Sequence, residues 1–79
     1  MKIVYSKQAE KFLDSQNDKI FLRITSAIGK LPEGDVKKMK GYSNPTYRLA
    51  IGSVRAIFTR DDDFISVIKI DSRGQIYKK

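Results

Sequence analysis

Cysteine and histidine are both missing from the 79 residues. Without cysteine there is no disulfide and no thiolate metal site. Without histidine there is no imidazole general base, and most zinc sites are excluded. Long apolar runs are missing too; the longest are far too short to span a bilayer, and no signal peptide is read at the start. The expectation is therefore a cytosolic chain that does not engage a membrane and needs no cofactor or metal. Acidic residues are scarce in the second half. Residues 36–79 carry ten Lys/Arg against four Asp/Glu, three of them the run Asp61-Asp62-Asp63, whereas residues 1–35 carry six against five. The overall charge of +7 thus belongs mostly to the C-terminal half. Such asymmetry points to a polyanion or an acidic protein partner, with a merely soluble basic domain as the plain alternative. A chain of this length makes one small domain, 1–79, near the size at which a single core barely suffices. No repeat, low-complexity tract or linker divides it.

What is present is organised around Tyr47 to Tyr77, which reads as three strands joined by two short turns. Gly52-Ser53 suits a two-residue hairpin loop. Asp61-Asp62-Asp63 suits the second turn, because aspartate favours turns and is depleted in strands. With Gly52 and Ser53 as the loop, Ile51 pairs with Val54, Leu49 with Ala56 and Tyr47 with Phe58. Those six are apolar and share a face, since alternate residues point the same way. Arg48, Ala50, Arg55 and Ile57 share the other face, with Arg48 and Arg55 on a cross-strand diagonal about 7–8 Å apart. If the three aspartates form the second loop, Arg55 lies opposite Lys69 and three cations cluster. Like charges opposed in a sheet repel. The cluster is either splayed into solvent or built to hold an anion such as phosphate.

The first half reads as a short strand, Met1 to Tyr5, followed by two helices. Ser6 caps the first, whose apolar positions are Ala9, Phe12 and Leu13. Asn17-Asp18 recaps the chain for a second, with Ile20, Phe21, Ile24, Ala27 and Ile28 as its stripe. Leu31-Pro32 ends that helix and Glu33-Gly34-Asp35 turns. The fold class is α+β: an N-terminal strand, an antiparallel helix hairpin, and a three-stranded antiparallel meander, with the helices on one face of the sheet. Phe12, Ile24 and Phe58 are the expected core. Val36 to Gly41 is read as a solvated rim with Lys37, Lys38 and Lys40 around Met39, of which Lys38 or Lys40 can touch phosphate. Tyr42 to Thr46 is read as loop.

This order of elements, with Leu31 to Gly41, the Tyr47-Arg48-Leu49 strand, Arg55 in the next strand, and Arg73 followed four residues later by Tyr77, resembles the RelE/ParE superfamily of bacterial toxins from type II toxin–antitoxin modules. The resemblance covers nearly the whole chain. It implies ribosome-dependent mRNA cleavage without a metal, in which the RNA 2′-hydroxyl attacks the adjacent phosphate and leaves a 2′,3′-cyclic phosphate. That reaction needs a base for the 2′-proton, cations for the developing charge and an acid for the leaving 5′-oxygen. A ring to stack on a base helps to hold the strand. By position, Arg55 matches the family's phosphate-binding arginine, Arg73 its C-terminal arginine and Tyr77 its tyrosine. Arg48 falls where ribosome-dependent members place a lysine. The resemblance also implies a cognate antitoxin with an acidic or amphipathic segment, a toxin–antitoxin hetero-oligomer, and the ribosome and mRNA as targets.

The chain departs from the family pattern at three places. Ser72 stands where many members have histidine, and Thr46 where the best-known ribonucleases have their first lysine. Arg48 stays protonated at any ordinary pH and is a poor base; Lys69 and Lys40 are the residues that can replace it. Two alternatives stay open: a ParE-like toxin that poisons DNA gyrase by binding, and a non-catalytic RNA- or ribosome-binding domain. On this reading, removal of Arg55 leaves stability unchanged or slightly raised, because a like-charge neighbour is lost.

Overall fold

Ser6 and Asn17 cap their helices as expected. The Ser6 hydroxyl accepts the Ala9 N–H at 3.1 Å, and the Asn17 side-chain oxygen accepts the Ile20 N–H at 2.9 Å. Each satisfies one of the N–H groups that a helix start leaves without a partner. A computed structural model describes residues 2–31 and 33–72. Its elements run β1 (Lys2–Tyr5), α1 (Lys7–Asp14), α2 (Asp18–Gly29), β2 (Asp35–Met39), β3 (Thr46–Ile51), β4 (Val54–Arg60) and β5 (Phe64–Ser72). The strands form one mixed sheet in the order β1-β5-β4-β3-β2, with β1 parallel to β5 and the other neighbours antiparallel.

The α+β class holds, but the meander has four strands rather than three. Asp35–Met39 is not a rim; it pairs with β3, Val36 opposite Leu49 and Lys37 opposite Arg48. Lysine and aspartate disfavour strands, which is why the segment does not read as one. Its position explains the composition. It is an edge strand, and charged side chains on an edge discourage pairing with other chains. Val36 is the one residue of β2 that packs against the core.

The two helices cover one face of the sheet. Ala9 and Leu13 of α1 and Ile24 and Ile28 of α2 bury themselves against Leu49, Ile51, Ala56, Phe58, Ile65, Val67 and Ile70. Ile24 and Phe58 are core, as expected, at 1% and 2% exposure; Phe12 is only half-buried against the cluster. Phe21 shares the α2 stripe but lies in the first turn, bordering a groove with Leu13 and Asp14, and stays 37% exposed. Burial pushes the Tyr5 hydroxyl above its ordinary pKa.

The first hairpin matches expectation pair for pair: Ile51 with Val54, Leu49 with Ala56, Tyr47 with Phe58. Tyr47 and Phe58 stack at 5.6 Å between ring centroids. Gly52 takes φ +60°, the left-handed region that glycine enters without a Cβ penalty, and the nearest neighbour of a Cβ there would be the movable Arg23 guanidinium at 2.9 Å, so it is the backbone that favours glycine.

The second turn differs. The Asp61 N–H donates to the Phe64 carbonyl at 2.8 Å, so the loop closes on Asp62 and Asp63. This slips β5 by one residue. Alone, the slip would set Lys69 opposite Ala56 on the helix-covered face and turn Ile70 outward, because strand side chains alternate. A bulge between Ile57 and Phe58 removes that consequence. Phe58 pairs with Val67 but Ile57 with Lys69, leaving Ile68 as the extra residue. Ile70 is therefore fully buried, Ile68 is 41% exposed, and Lys69 returns to the open face. Arg55 then lies opposite Asp71, not Lys69 as the three-residue loop implied.

The α1 end of the sheet is sealed by a side chain. Beyond β1, the Gln8 amide donates to the Ile70 carbonyl at 2.9 Å and accepts the Ile70 N–H at 2.9 Å. Ser6 adds its N–H to the Val67 carbonyl and its hydroxyl to the Ile68 carbonyl. These groups continue the pairing that β1 begins.

Candidate functional site

The face of the sheet away from the helices carries the candidate residues in two cross-strand rows. One row is Lys37, Arg48, Ile57 and Lys69; the next is Asp35, Ala50, Arg55 and Asp71. Adjacent strands lie about 4.8 Å apart, so neighbours within a row are within reach of one another's side chains. Arg48 and Arg55 take the expected diagonal. Both are half-buried, whereas Lys37 and Lys69 are exposed.

Ile57 is the odd member. It is 5% exposed but lies outside the helix-side core cluster. Its cross-strand neighbours on that face are Arg48 and Lys69. Long basic side chains lay their aliphatic stems over such a residue and keep the charge at the rim. The apolar centre thus holds the cations apart while keeping them on one surface.

Arg55 is anchored. Its Nη1 donates to the Gly52 carbonyl at 2.7 Å and to the Val54 carbonyl at 3.0 Å. Two of its five N–H donors therefore serve the hairpin turn. Its Nε is buried and meets no acceptor among the described residues. Asp71, opposite Arg55, turns a carboxylate oxygen to the Ser72 N–H at 2.8 Å.

The other sequence candidates separate. Lys38 pairs with Tyr47 and so belongs to the helix-side alternation, and Lys40 lies past the end of β2. Lys37, which the sequence treats as one of a run, is the lysine beside Arg48. Only the strand register distinguishes it from its neighbours, and that register was not legible while the segment read as a rim. Arg73 and Tyr77 lie outside the described residues. Thr46, at the position of a family lysine, is 2% exposed and donates its hydroxyl to the Asn44 carbonyl at 3.0 Å, pinning the loop before β3. Among the described residues there is no group of three or more His, Cys, Asp or Glu able to hold a metal ion, and no helix long and apolar enough to cross a membrane.

No protein-family model and no curated protein matches the chain. Solved structures do. A chain of the archaeal RelE–RelB complex from Pyrococcus horikoshii superposes with TM-score 0.75 at 24% identity, over 94% of this chain and 96% of that one. The RelB–RelE antitoxin–toxin complex from Methanococcus jannaschii gives 0.75 at 27%, over 94% of each chain. The YoeB dimer from Staphylococcus aureus gives 0.72 at 24%, over 87% and 92%. The likeness covers nearly the whole chain, and the fold is RelE-like.

Proposed function

We propose that the chain is the toxin of a type II toxin–antitoxin pair and that it cleaves mRNA on the ribosome. The observation that carries this reading is the open sheet face, where Lys37, Arg48, Arg55 and Lys69 surround the buried Ile57 on a RelE-like fold. The substrate supplies its own nucleophile. The 2′-hydroxyl gives its proton to a base as its oxygen bonds to phosphorus, the bond from phosphorus to the 5′-oxygen breaks, and that oxygen takes a proton from an acid, so the products are a 2′,3′-cyclic phosphate and a 5′-hydroxyl. Charge builds on the phosphate oxygens, and cations held in place before the reaction stabilise it most. Arg55 suits that task because the turn fixes its Nη1, leaving the two donors on Nη2 for an oxygen. Arg48 adds a second charge on the diagonal. Lys69 is the better placed of the two candidate bases, since it shares the Arg48 row while Lys40 lies outside the sheet. Arg73 and Tyr77 keep the roles that their positions imply, a further cation and a stacking ring.

The partner follows from the same surface. RelE is bound to RelB in two of the matching structures. We infer an antitoxin whose acidic or amphipathic segment covers the basic face, where charge complementarity speeds encounter and selects the partner. Toxin and antitoxin then form a hetero-oligomer.

The test is induction in a bacterium, with primer extension on a translated and an untranslated copy of one mRNA, and a topology assay on plasmid DNA. Cleavage confined to the translated copy is the expected result. Trapped gyrase–DNA complexes with intact mRNA would assign the chain to the gyrase-poisoning class instead. Unimpaired growth at full expression would remove the toxin reading altogether.

A further inference from the structure

Beside the basic rows, on the same face, lies a pocket of about 360 Å³ that the reaction described above does not use. Its walls are Asn44 and Pro45 from the loop before β3, Thr59 and Arg60 from β4, Asp61 from the turn, and Phe64 and Ser66 from β5. Thr59 and Ser66 are cross-strand partners. Thr59 is two residues beyond Ile57, so the pocket starts about 7 Å along the strand from the row that holds Arg48 and Lys69. Buried Thr46 ties the loop wall to the start of β3 by donating its hydroxyl to the Asn44 carbonyl.

We propose that this pocket takes one unpaired nucleobase of an RNA strand whose phosphate lies on the basic rows, and that it favours a base carrying an exocyclic amino group. The inference rests on the ribonuclease reading and adds a base subsite to it. Four observations support it. Phe64 is 37% exposed on a sheet face, an arrangement in which a ring offers a surface for stacking. Asn44, Thr59 and Ser66 bring neutral side chains that both donate and accept, the kind that read base edges. Those three side chains make no hydrogen bond to other side chains or backbone among the described residues. The Asp61-Asp62-Asp63 turn at the mouth repels phosphate, so a backbone phosphate belongs on the basic rows and an uncharged ring in the pocket. The Asp61 carboxylate accepts the Asp62 N–H at 2.6 Å and has lone pairs left for an amino group, which uracil lacks. The volume lies at the low end of small-molecule pockets, fit for one ring system rather than a folded segment.

The experiment uses the purified protein and four-nucleotide, 2′-O-methyl RNA probes that it cannot cleave: oligoadenylate, oligocytidylate, oligouridylate, and oligoadenylates with one base replaced by an abasic spacer. Affinity is read by fluorescence anisotropy, and the site by backbone amide NMR shifts. Phe64→Ala should weaken oligoadenylate binding roughly tenfold to a hundredfold, the usual effect of losing one stacked base. One abasic position should weaken the wild type to the same degree and the Phe64→Ala protein hardly at all, the non-additivity expected of a shared contact. Asp61→Asn should narrow the preference for adenine and cytosine over uracil. The amides of Thr59, Phe64 and Ser66 should shift with RNA, and thermal melts should show both variants folded.

Other outcomes overturn the proposal in distinguishable ways. If Arg48→Ala abolishes binding while Phe64→Ala and every abasic probe bind like their parents, the phosphate face stands and the base subsite falls. If no probe binds the wild type, the RNA reading and the subsite fall together. If RNA leaves the pocket amides unmoved and the antitoxin shifts them, the pocket is a protein-docking surface and not a base site.

Discussion

Strands β3, β4 and β5 build two surfaces from alternate residues of the same chain. Toward the helices they turn Leu49, Ala56, Phe58, Val67 and Ile70, all nearly or fully buried. Away from the helices they turn Arg48, Arg55, Ile57 and Lys69, of which only Ile57 is buried. The first surface is held by shape and area; burial of such side chains contributes roughly 1.5–3 kcal/mol each. The second is held by position, with like charges kept apart by an isoleucine and an arginine tied to a turn. Stability is therefore concentrated on one side of a sheet and the candidate chemistry on the other, with a single register shared by both.

The strongest way to break that division is to disturb the register itself. Inserting one residue between Val67 and Ile68 moves the later positions of β5 to the opposite faces, so Lys69 would face the helices and Ile70 would face solvent. We expect loss of cooperative thermal unfolding and of soluble protein; an insertion variant that melts like the parent would show that the bulge can absorb a second extra residue. Next comes damage confined to the helix side. Phe58→Ala should cost about 3–5 kcal/mol, a large part of the stability of a small domain, and its activity should fall in step with its folded fraction. Denaturant melts beside growth-arrest assays measure both.

The open face should respond in the opposite manner. Arg55→Ala should lower ribosome-programmed cleavage about a hundredfold or more, the scale for deleting a preorganised donor to a developing anion. Arg55→Lys should recover only part of this, because a point charge cannot make a two-pronged contact. The two carbonyl bonds of Arg55 revise the stability expected from sequence. Their loss should cost about 1 kcal/mol rather than bring a gain. Wild-type cleavage by folded Arg55→Ala would take this arginine out of the site. The smallest contrast is between adjacent lysines. Lys37→Ala should weaken RNA binding severalfold and reduce its salt dependence, while Lys38→Ala should do neither. Equal effects would mean that the two faces are not electrostatically distinct at β2.

What could be read in the sequence was whatever obeys local rules. Ser6 and Asn17 announce helix starts, and Gly52-Ser53 announces a hairpin whose pairing follows by counting. Arg48 and Arg55 come with that hairpin, so half of the candidate site was legible. The rest depends on non-local facts. Asp35–Met39 is a strand because β3 offers it a partner, not because its lysines prefer one. Lys69 was legible on the open face but not its partner: a turn one residue shorter than three aspartates suggest, offset by a bulge that places Ile70 in the core, sets it opposite Ile57 rather than Arg55. Nor does a local signal bring Asn44 and Phe64 to one pocket, since one lies in the loop before β3 and the other at the start of β5.

The parallel pairing of β1 with β5 has a mechanical meaning. A pull that separates Lys2 from Ser72 acts along both strands at once. It loads the β1–β5 backbone bonds, and the two Gln8 bonds to Ile70 beside them, together in shear, instead of opening them one after another. The outer strand β2 carries no such load, since it joins the sheet through β3 alone. Under tension the described chain should resist where β1 meets β5 and, once they part, come undone hairpin by hairpin from β5, so that the basic face stays assembled for as long as β1 holds.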